Sequence, residues 1–471
     1  MFLLFCLLLL FYILFVAANQ DGAVALRKSF LIAALLLPVW MTYNVRSIRL
    51  DFRIMQAVMA GVVLFLAPPA QRFAFRPCLA DALAAVLIAA MGLSQFLNGA
   101  LAPLTMIDIS LTMLASYAVG RIFFQSAQDV RNLYPAVARI LFLVAILAVV
   151  ESTVRINPIN DLLGKRFGIL ETGEGYRWGL KRSQGNVSHP IYHGIQLLLF
   201  LPFAVELVRQ GWSGTKKRWS WILTPLMLAV SVLVTVSRGA HVGFLVTTAV
   251  SVFLLLPRWR SVLGAAAVVG CGLLFLAQDF VATTLATLAG ENGREPRLIL
   301  IDGAEVEYTG TKHRLLLSTV YREPLRDSGY FGWGGAMTGV RIEPDLQSRF
   351  GSIDNHYIRF RLQYGLIGTA LFALLMLTVS CYAIQTAWRP SEWQAIAAGL
   401  AGGFLATAIL MSSVWFSPDY GAIWMFCAGL SANVRTLYLN EMSARGATIA
   451  RSTLNLPTRH RIPVTHVAGV A

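Results

Sequence analysis

Long apolar runs separated by short polar breaks fill most of this sequence. They fall at about 1–18, 28–44, 54–70, 79–97, 103–122, 133–152, 190–208, 219–236, 240–257, 260–277, 364–386, 395–416 and 419–437. Each is close to the roughly 20 residues a helix needs to cross about 30 Å of hydrocarbon, and a helix satisfies its own backbone there. The pattern predicts an all-α polytopic membrane protein of twelve or thirteen transmembrane helices. The first run lacks a basic flank and a small-residue exit, so it reads as an uncleaved helix rather than a signal peptide.

The breaks divide the chain into N-terminal spans 1–152, a loop 153–189, spans 190–277, a large loop 278–355, spans 356–437 and a basic tail 438–471 that reads as weakly ordered. The large loop is predicted to be partly helical. Arg314 to Tyr321 form a partly apolar helical stretch, and Pro324 ends it. Gly329, Gly332, Gly334 and Gly335 then punctuate a turn around Tyr330, Phe331 and Trp333. Those rings suit membrane-interface anchoring and sugar stacking equally.

Composition agrees with the pattern: 56% of residues are hydrophobic, 13% are charged, and the mean hydropathy is +0.63. The net charge of +15 would suggest nucleic acid in a soluble chain, but here it gathers in short loops and the tail, as the positive-inside rule expects. Arg209, Lys216, Lys217 and Arg218 form one such loop and Arg258 with Arg260 another, while Arg435, Arg445, Arg451, Arg459 and Arg461 lie at or beyond the last span. Placing these in the cytoplasm sends 153–189, the turn Ser237–Gly239 and 278–355 to the other side. Arg46, Arg49 and Arg53 break this rule unless the early span count is twelve. The five cysteines all lie in or beside apolar runs and offer no disulfide framework or metal spacing.

Few ionisable residues lie within the runs. Asp108, Arg139 and Glu206 are the main ones, whereas ion-coupled carriers concentrate charge near the midplane. The polar chemistry collects where spans meet the far water boundary. Arg238 and Arg314, with Arg182 and Arg177 behind them, suit a diphosphate, because a guanidinium donates paired hydrogen bonds to phosphate oxygens and stays charged when partly desolvated. Each alone also reads as a lipid-phosphate contact. Asp354 and His356 are both candidates for a base, and Asp354 with Asn355 also reads as a helix cap. His189, His193, His241 and His313 fit no metal set and read as packing or hydrogen-bonding residues. No paired acidic motif for a nucleotide-sugar metal and no phosphate-binding glycine loop is present.

In order along the chain, Ser237-Arg238-Gly239, the stretch 314–335 and Asp354-Asn355 followed by Gly365-Leu366-Ile367-Gly368 resemble the motifs of the O-antigen ligase and polymerase superfamily, which includes exopolysaccharide polymerases. The resemblance covers residues 180–370. It implies a GT-C-like helical bundle in the bacterial inner membrane, with the large loop and active site on the periplasmic face. The implied reaction is inverting glycosyl transfer without metal or cofactor, from an undecaprenyl-pyrophosphate-linked glycan donor to a glycan acceptor. Arg238 and Arg314 would hold the diphosphate, with Arg182 and Arg177 assisting. Asp354 or His356 would activate the acceptor, and Asn355, Tyr357 and Trp333 would contact or position the glycan. A flippase and a chain-length regulator are the implied partner proteins, and no nucleic acid is. The ligase pattern has histidine where Asp354 stands, so polymerisation of repeat units ranks above transfer to lipid A-core. A transporter of lipid-linked or other amphipathic substrates is the rival from another class.

Overall fold

The computed structural model of the chain describes residues 76–99, 109–158, 175–213, 219–262, 297–415 and 418–454, apart from 178, 188, 302, 309 and 338, with scattered positions among 11–51 and 264–269. Nearly all of the run predicted at 1–18, the run at 54–70, most of 260–277, Asp108, and tail residues 455–471 lie outside the described residues.

The protein is mainly helical. A small antiparallel hairpin pairs β1 (Thr42–Val45) with β2 (Ile48–Asp51), so the run predicted at 28–44 ends in a strand. The bundle is built from α1 (Leu79–Leu97), α2 (Ser116–Arg121), which continues a π-helical turn Leu111–Ala115, and α3 (Ala127–Val154). It continues with α4 (Pro190–Ser213), α5 (Trp219–Val234) and α6 (Arg238–Leu255). Four helices among the described residues, Leu79–Leu97, Ala127–Val154, Arg238–Leu255 and His356–Ala387, are long and apolar enough to cross a bilayer.

A smaller unit follows. The β5–β6 hairpin (Arg297–Ile301, Ala304–Tyr308) turns at Gly303, whose φ of 78° suits a glycine. Short helices α7 (Gly310–Val320), α8 (Arg322–Asp327) and α9 (Pro344–Phe350) complete it. Its own core contains Ile299, Ile301, Leu317, Tyr321, Leu346 and Phe350, joined by Ile358 and Leu362 of the next helix. The chain then returns to the bundle through α10 (His356–Ala387), α11 (Gln394–Leu410) and α12 (Pro418–Leu454). The last helix therefore runs well past residue 437, where the sequence predicted a weakly ordered tail.

Small residues let the bundle helices approach closely, the packing solution available when lipid removes the hydrophobic drive between helices. Gly120 faces the backbone of Phe426 while Gly429 faces that of Tyr117, a reciprocal pair between α2 and α12. On α11, a Cβ at Gly399 would meet Pro202 of α4 at 2.5 Å, and one at Gly402 would meet the Thr247 carbonyl of α6 at 2.6 Å.

Contacts distinguish two ends of the bundle. At one, Arg131 pairs with Glu392 at 2.5 Å, Arg209 pairs with Glu206 at 2.7 Å, and Arg260 donates to the Trp388 carbonyl at 3.1 Å. Arg209 and Arg260, from two of the basic loops, thus share an end. At the other, the Ser183 N–H donates to the Val234 carbonyl at 3.1 Å, and the His356 N–H to the Met411 carbonyl at 2.8 Å.

At this second end α10 is broken at Gly365, with φ 66° and ψ −164°. A break in a helix leaves carbonyls and N–H groups to be paired elsewhere. The glycine-rich turn supplies the partners: Trp333 and Gly334 donate to the carbonyls of Leu362 and Gln363 at 2.7 and 3.0 Å, and Leu366 and Ile367 donate to those of Gly329 and Tyr330 at 3.2 and 3.1 Å. The end of α1 joins in, with Asn98 Nδ2 on the Gly332 carbonyl at 3.0 Å and Ser94 Oγ on that of Gln363 at 2.8 Å. The turn whose rings suit interface anchoring and sugar stacking equally also serves as a backbone strap that fastens the smaller unit to the bundle.

Candidate active site

A cavity of about 550 Å³ opens at this strapped end, well within the size range of small-molecule sites. Its wall is assembled from segments far apart in the chain. The segment before α4 brings Arg177 and Arg182, the start of α6 brings Ser237 and Arg238, and α7 brings Arg314. Asp354 stands just before α10, and Tyr192 with Ser413 and Trp415 closes another side.

Local structure explains why each group faces inward. Arg177 ends the two-residue strand β3 (Tyr176–Arg177), paired with β4 (Leu180–Lys181), and its Nη1 donates to the Val236 carbonyl at 3.4 Å. Val236 itself has φ 46°, an uncommon conformation for a β-branched residue, and it makes the sharp turn that starts α6 at Arg238. On α7, His313 stacks on Phe350 at 5.0 Å between ring centroids and bonds to the Tyr308 hydroxyl at 3.3 Å. With His313 turned into the small core, the next residue, Arg314, is rotated about 100° around the helix and meets the cavity. Ser352 Oγ donates to Asp354 Oδ1 at 3.0 Å and orients the carboxylate.

Four guanidiniums thus confront one carboxylate. Burial pushes the Arg182 pKa down to about 10, with repulsion from Arg177 and Arg238 adding to it. Arg177 is lowered by burial and then by Arg238 and Arg314. Arg314 is lowered by desolvation in the recess and by Arg238, while Asp354 pulls it upward. The described wall carries surplus positive charge, and an anion with several oxygens is the ligand that would discharge it.

No protein-family profile matches this chain, and no curated protein matches it.

Five of the residues predicted from sequence, Arg177, Arg182, Arg238, Arg314 and Asp354, therefore meet around one cavity. The other four do not line it. His356 is 4% exposed, with its ring among Phe360 at 5.0 Å and Phe372 at 5.2 Å. At the first position of α10 its side chain turns into the bundle and away from the cavity wall where Asp354 stands. Asn355, not Asp354, is the N-cap, accepting the Ile358 N–H at 3.1 Å. Tyr357 donates its hydroxyl to the Ala408 carbonyl at 2.7 Å, and Trp333 Nε1 donates to the Pro324 carbonyl at 3.3 Å. These three support the site's frame and do not touch its space.

Sequence reading passed over several wall residues. Trp415, assigned to a span, lies in the turn after α11. The Arg359 guanidinium covers its ring at 4.0 Å, and the Tyr192 hydroxyl donates to its carbonyl at 3.1 Å. His189, read as a packing or hydrogen-bonding residue, also lines the cavity. The available signal was the run Ser188-His189-Pro190-Ile191-Tyr192, where polar and aromatic groups crowd the start of a span that needs neither.

Proposed function

We propose that this protein is a glycosyltransferase of the bacterial inner membrane that polymerises undecaprenyl-pyrophosphate-linked oligosaccharide repeat units into a surface polysaccharide. Twelve or thirteen helices cross the bilayer in this reading, and the cavity faces the periplasm. The observation that carries it is the convergence of four arginines from separate segments with one aspartate, in a recess at one end of an apolar helical bundle.

The chemistry follows from the charge pattern. Asp354 takes the proton from an acceptor hydroxyl as its oxygen attacks C1 of the lipid-linked sugar. The bond from C1 to the diphosphate oxygen breaks as the new glycosidic bond forms, and the electron pair leaves with the diphosphate. Attack opposite the leaving group inverts C1. The guanidiniums stabilise the charge that develops on the departing diphosphate, the kind of preorganised electrostatic help that dominates many enzymes. Aspartate at the position where the related ligases carry histidine favours polymerisation over transfer to lipid A-core. A flippase supplying the donor and a regulator of chain length are the partners this activity requires.

The test is reconstitution. Purified protein given undecaprenyl-pyrophosphate oligosaccharide is expected to make longer lipid-linked chains, and Arg238→Ala is expected to lower the rate by about 100-fold or more. Product lengths identical to a protein-free control would refute the enzyme reading.

A further inference from the structure

His189 stands immediately before α4, and it caps that helix twice. Its carbonyl accepts the His193 N–H at 3.1 Å, and its ring Nδ1 accepts the Ile191 N–H at 3.2 Å. A ring nitrogen that accepts carries no proton, so in the neutral imidazole the proton sits on Nε2. The imidazolium would instead turn an Nδ1–H against the Ile191 N–H, donor against donor.

The ring lies edge-on to Tyr192, with centroids 5.7 Å apart, and lines the cavity beside Arg182 and Asp354. Nδ1 is committed to the helix, and Nε2 makes no hydrogen bond among the described residues. We propose that His189 is a ligand-binding residue of this cavity, presenting a neutral, orientation-fixed Nε2–H to a phosphoryl oxygen of the bound diphosphate. The proposal rests on reading the cavity as a diphosphate site. Burial, then the neighbouring Arg182 charge, push the ring pKa down to about 4 against a smaller pull from Asp354, so the donor is uncharged at neutral pH. The same geometry bars His189 from acting as the base, because one nitrogen's lone pair is engaged and the other nitrogen bears the proton.

Two substitutions separate the cap from the donor. His189→Ser retains a capping oxygen but no group that reaches into the cavity. His189→Gln places an amide N–H near the position of Nε2 and gives up the favourable cap. Binding of inorganic pyrophosphate and of undecaprenyl pyrophosphate to the purified full chain is measured by titration calorimetry, beside its thermal unfolding. H189S is expected to melt near the wild-type temperature and bind 10- to 100-fold more weakly, the usual loss for a hydrogen bond to a charged group. H189Q is expected to melt a few degrees lower and bind within about fivefold of wild type. Affinity that follows melting temperature across the two variants, or affinity unchanged in H189S, overturns the assignment. Wild-type protein that binds neither ligand overturns the diphosphate reading of the cavity, and His189's role falls with it.

Discussion

Glu151 Oε2 accepts the backbone N–H of Gly185 at 2.9 Å across 34 residues of chain. The same oxygen accepts the Gln184 N–H and the Ser183 hydroxyl, both at 3.0 Å, and Asn157 Nδ2 donates to the other oxygen at 2.8 Å. One carboxylate at the end of α3, 1% exposed, therefore folds the segment directly after Arg182. Glu151→Ala strands two buried N–H groups, each costing roughly 1–3 kcal/mol. Thermal unfolding in detergent should register a loss of about 3 kcal/mol, and pyrophosphate affinity should fall as Arg182 loses its anchor. Glu151→Gln keeps an accepting oxygen and should fall between the two.

Beneath the same loop, Gly185 has φ 59° and lies against the His193 imidazole, close enough that a Cβ would strike the ring. Gly185→Ala incurs both the left-handed backbone penalty and the clash, together about 2–3 kcal/mol. His193→Ala in the Gly185→Ala background opens the space. A double-mutant cycle should show it recovering part of that loss, whereas in the wild-type background it only destabilises.

The arginines and Asp354 were legible in the sequence because charged residues in an apolar chain collect at helix ends, and the order of spans gathers those ends at one boundary. What fills the space between them was not. Asp354 and Asn355 are both good caps, and only the backbone register decides that Asn355 caps while Asp354 faces the cavity. Glu151 carries no local signal of its role, since nothing in its sequence neighbourhood announces a loop 34 residues away. The glycine-rich turn was visible as a turn. Its engagement with a gap in α10 depends on a tertiary match between two distant segments, which no local pattern encodes.

That gap makes a sharp prediction. At Gly365 a φ of 66° with ψ of −164° lies in a region essentially reserved for glycine, and a Cβ there would collide with the backbone of Tyr330 and Phe331. Gly365→Ala should cost more than about 3 kcal/mol and undock the strap 329–334. Hydrogen exchange should show faster exchange at Trp333, Gly334, Leu366 and Ile367, whose N–H groups bridge the two segments, while exchange at the distant Thr407–Tyr420 contact of α11 and α12 changes less.

Crowding of like charge gives the site an opposite stability signature. Arg182 is depressed to about 10 by burial and by Arg177 and Arg238. A base whose folded pKa is lowered destabilises the empty protein at neutral pH, and the penalty is relieved only as pH rises through that value. Arg182→Gln should therefore raise the unfolding temperature of the ligand-free protein, by an amount corresponding to about 1 kcal/mol. It should also abolish most of the added stability that pyrophosphate confers on wild type, which mass action puts at about 2.7 kcal/mol when ligand is at 100 times its Kd. A variant less stable than wild type without ligand would show that Arg182 is held by contacts stronger than the repulsion.

Among the described residues, Asp354 is the one carboxylate on the cavity wall, and its two contributions pull in different directions. As a charge it competes with the incoming anion for the arginines, so removing it should leave diphosphate binding unchanged or tighter. As a base it is needed only when the acceptor loses its proton, a contribution of about 10²–10⁴ in rate. Asp354→Asn preserves the oxygen that accepts from Ser352 and changes little else in shape. Its kcat should drop by at least about 100-fold, with pyrophosphate affinity equal to or above wild type. Arg238→Ala should weaken pyrophosphate binding as well as lower the rate. If Asp354→Asn instead weakens binding and leaves kcat intact, the carboxylate orders the arginines and the proton goes elsewhere.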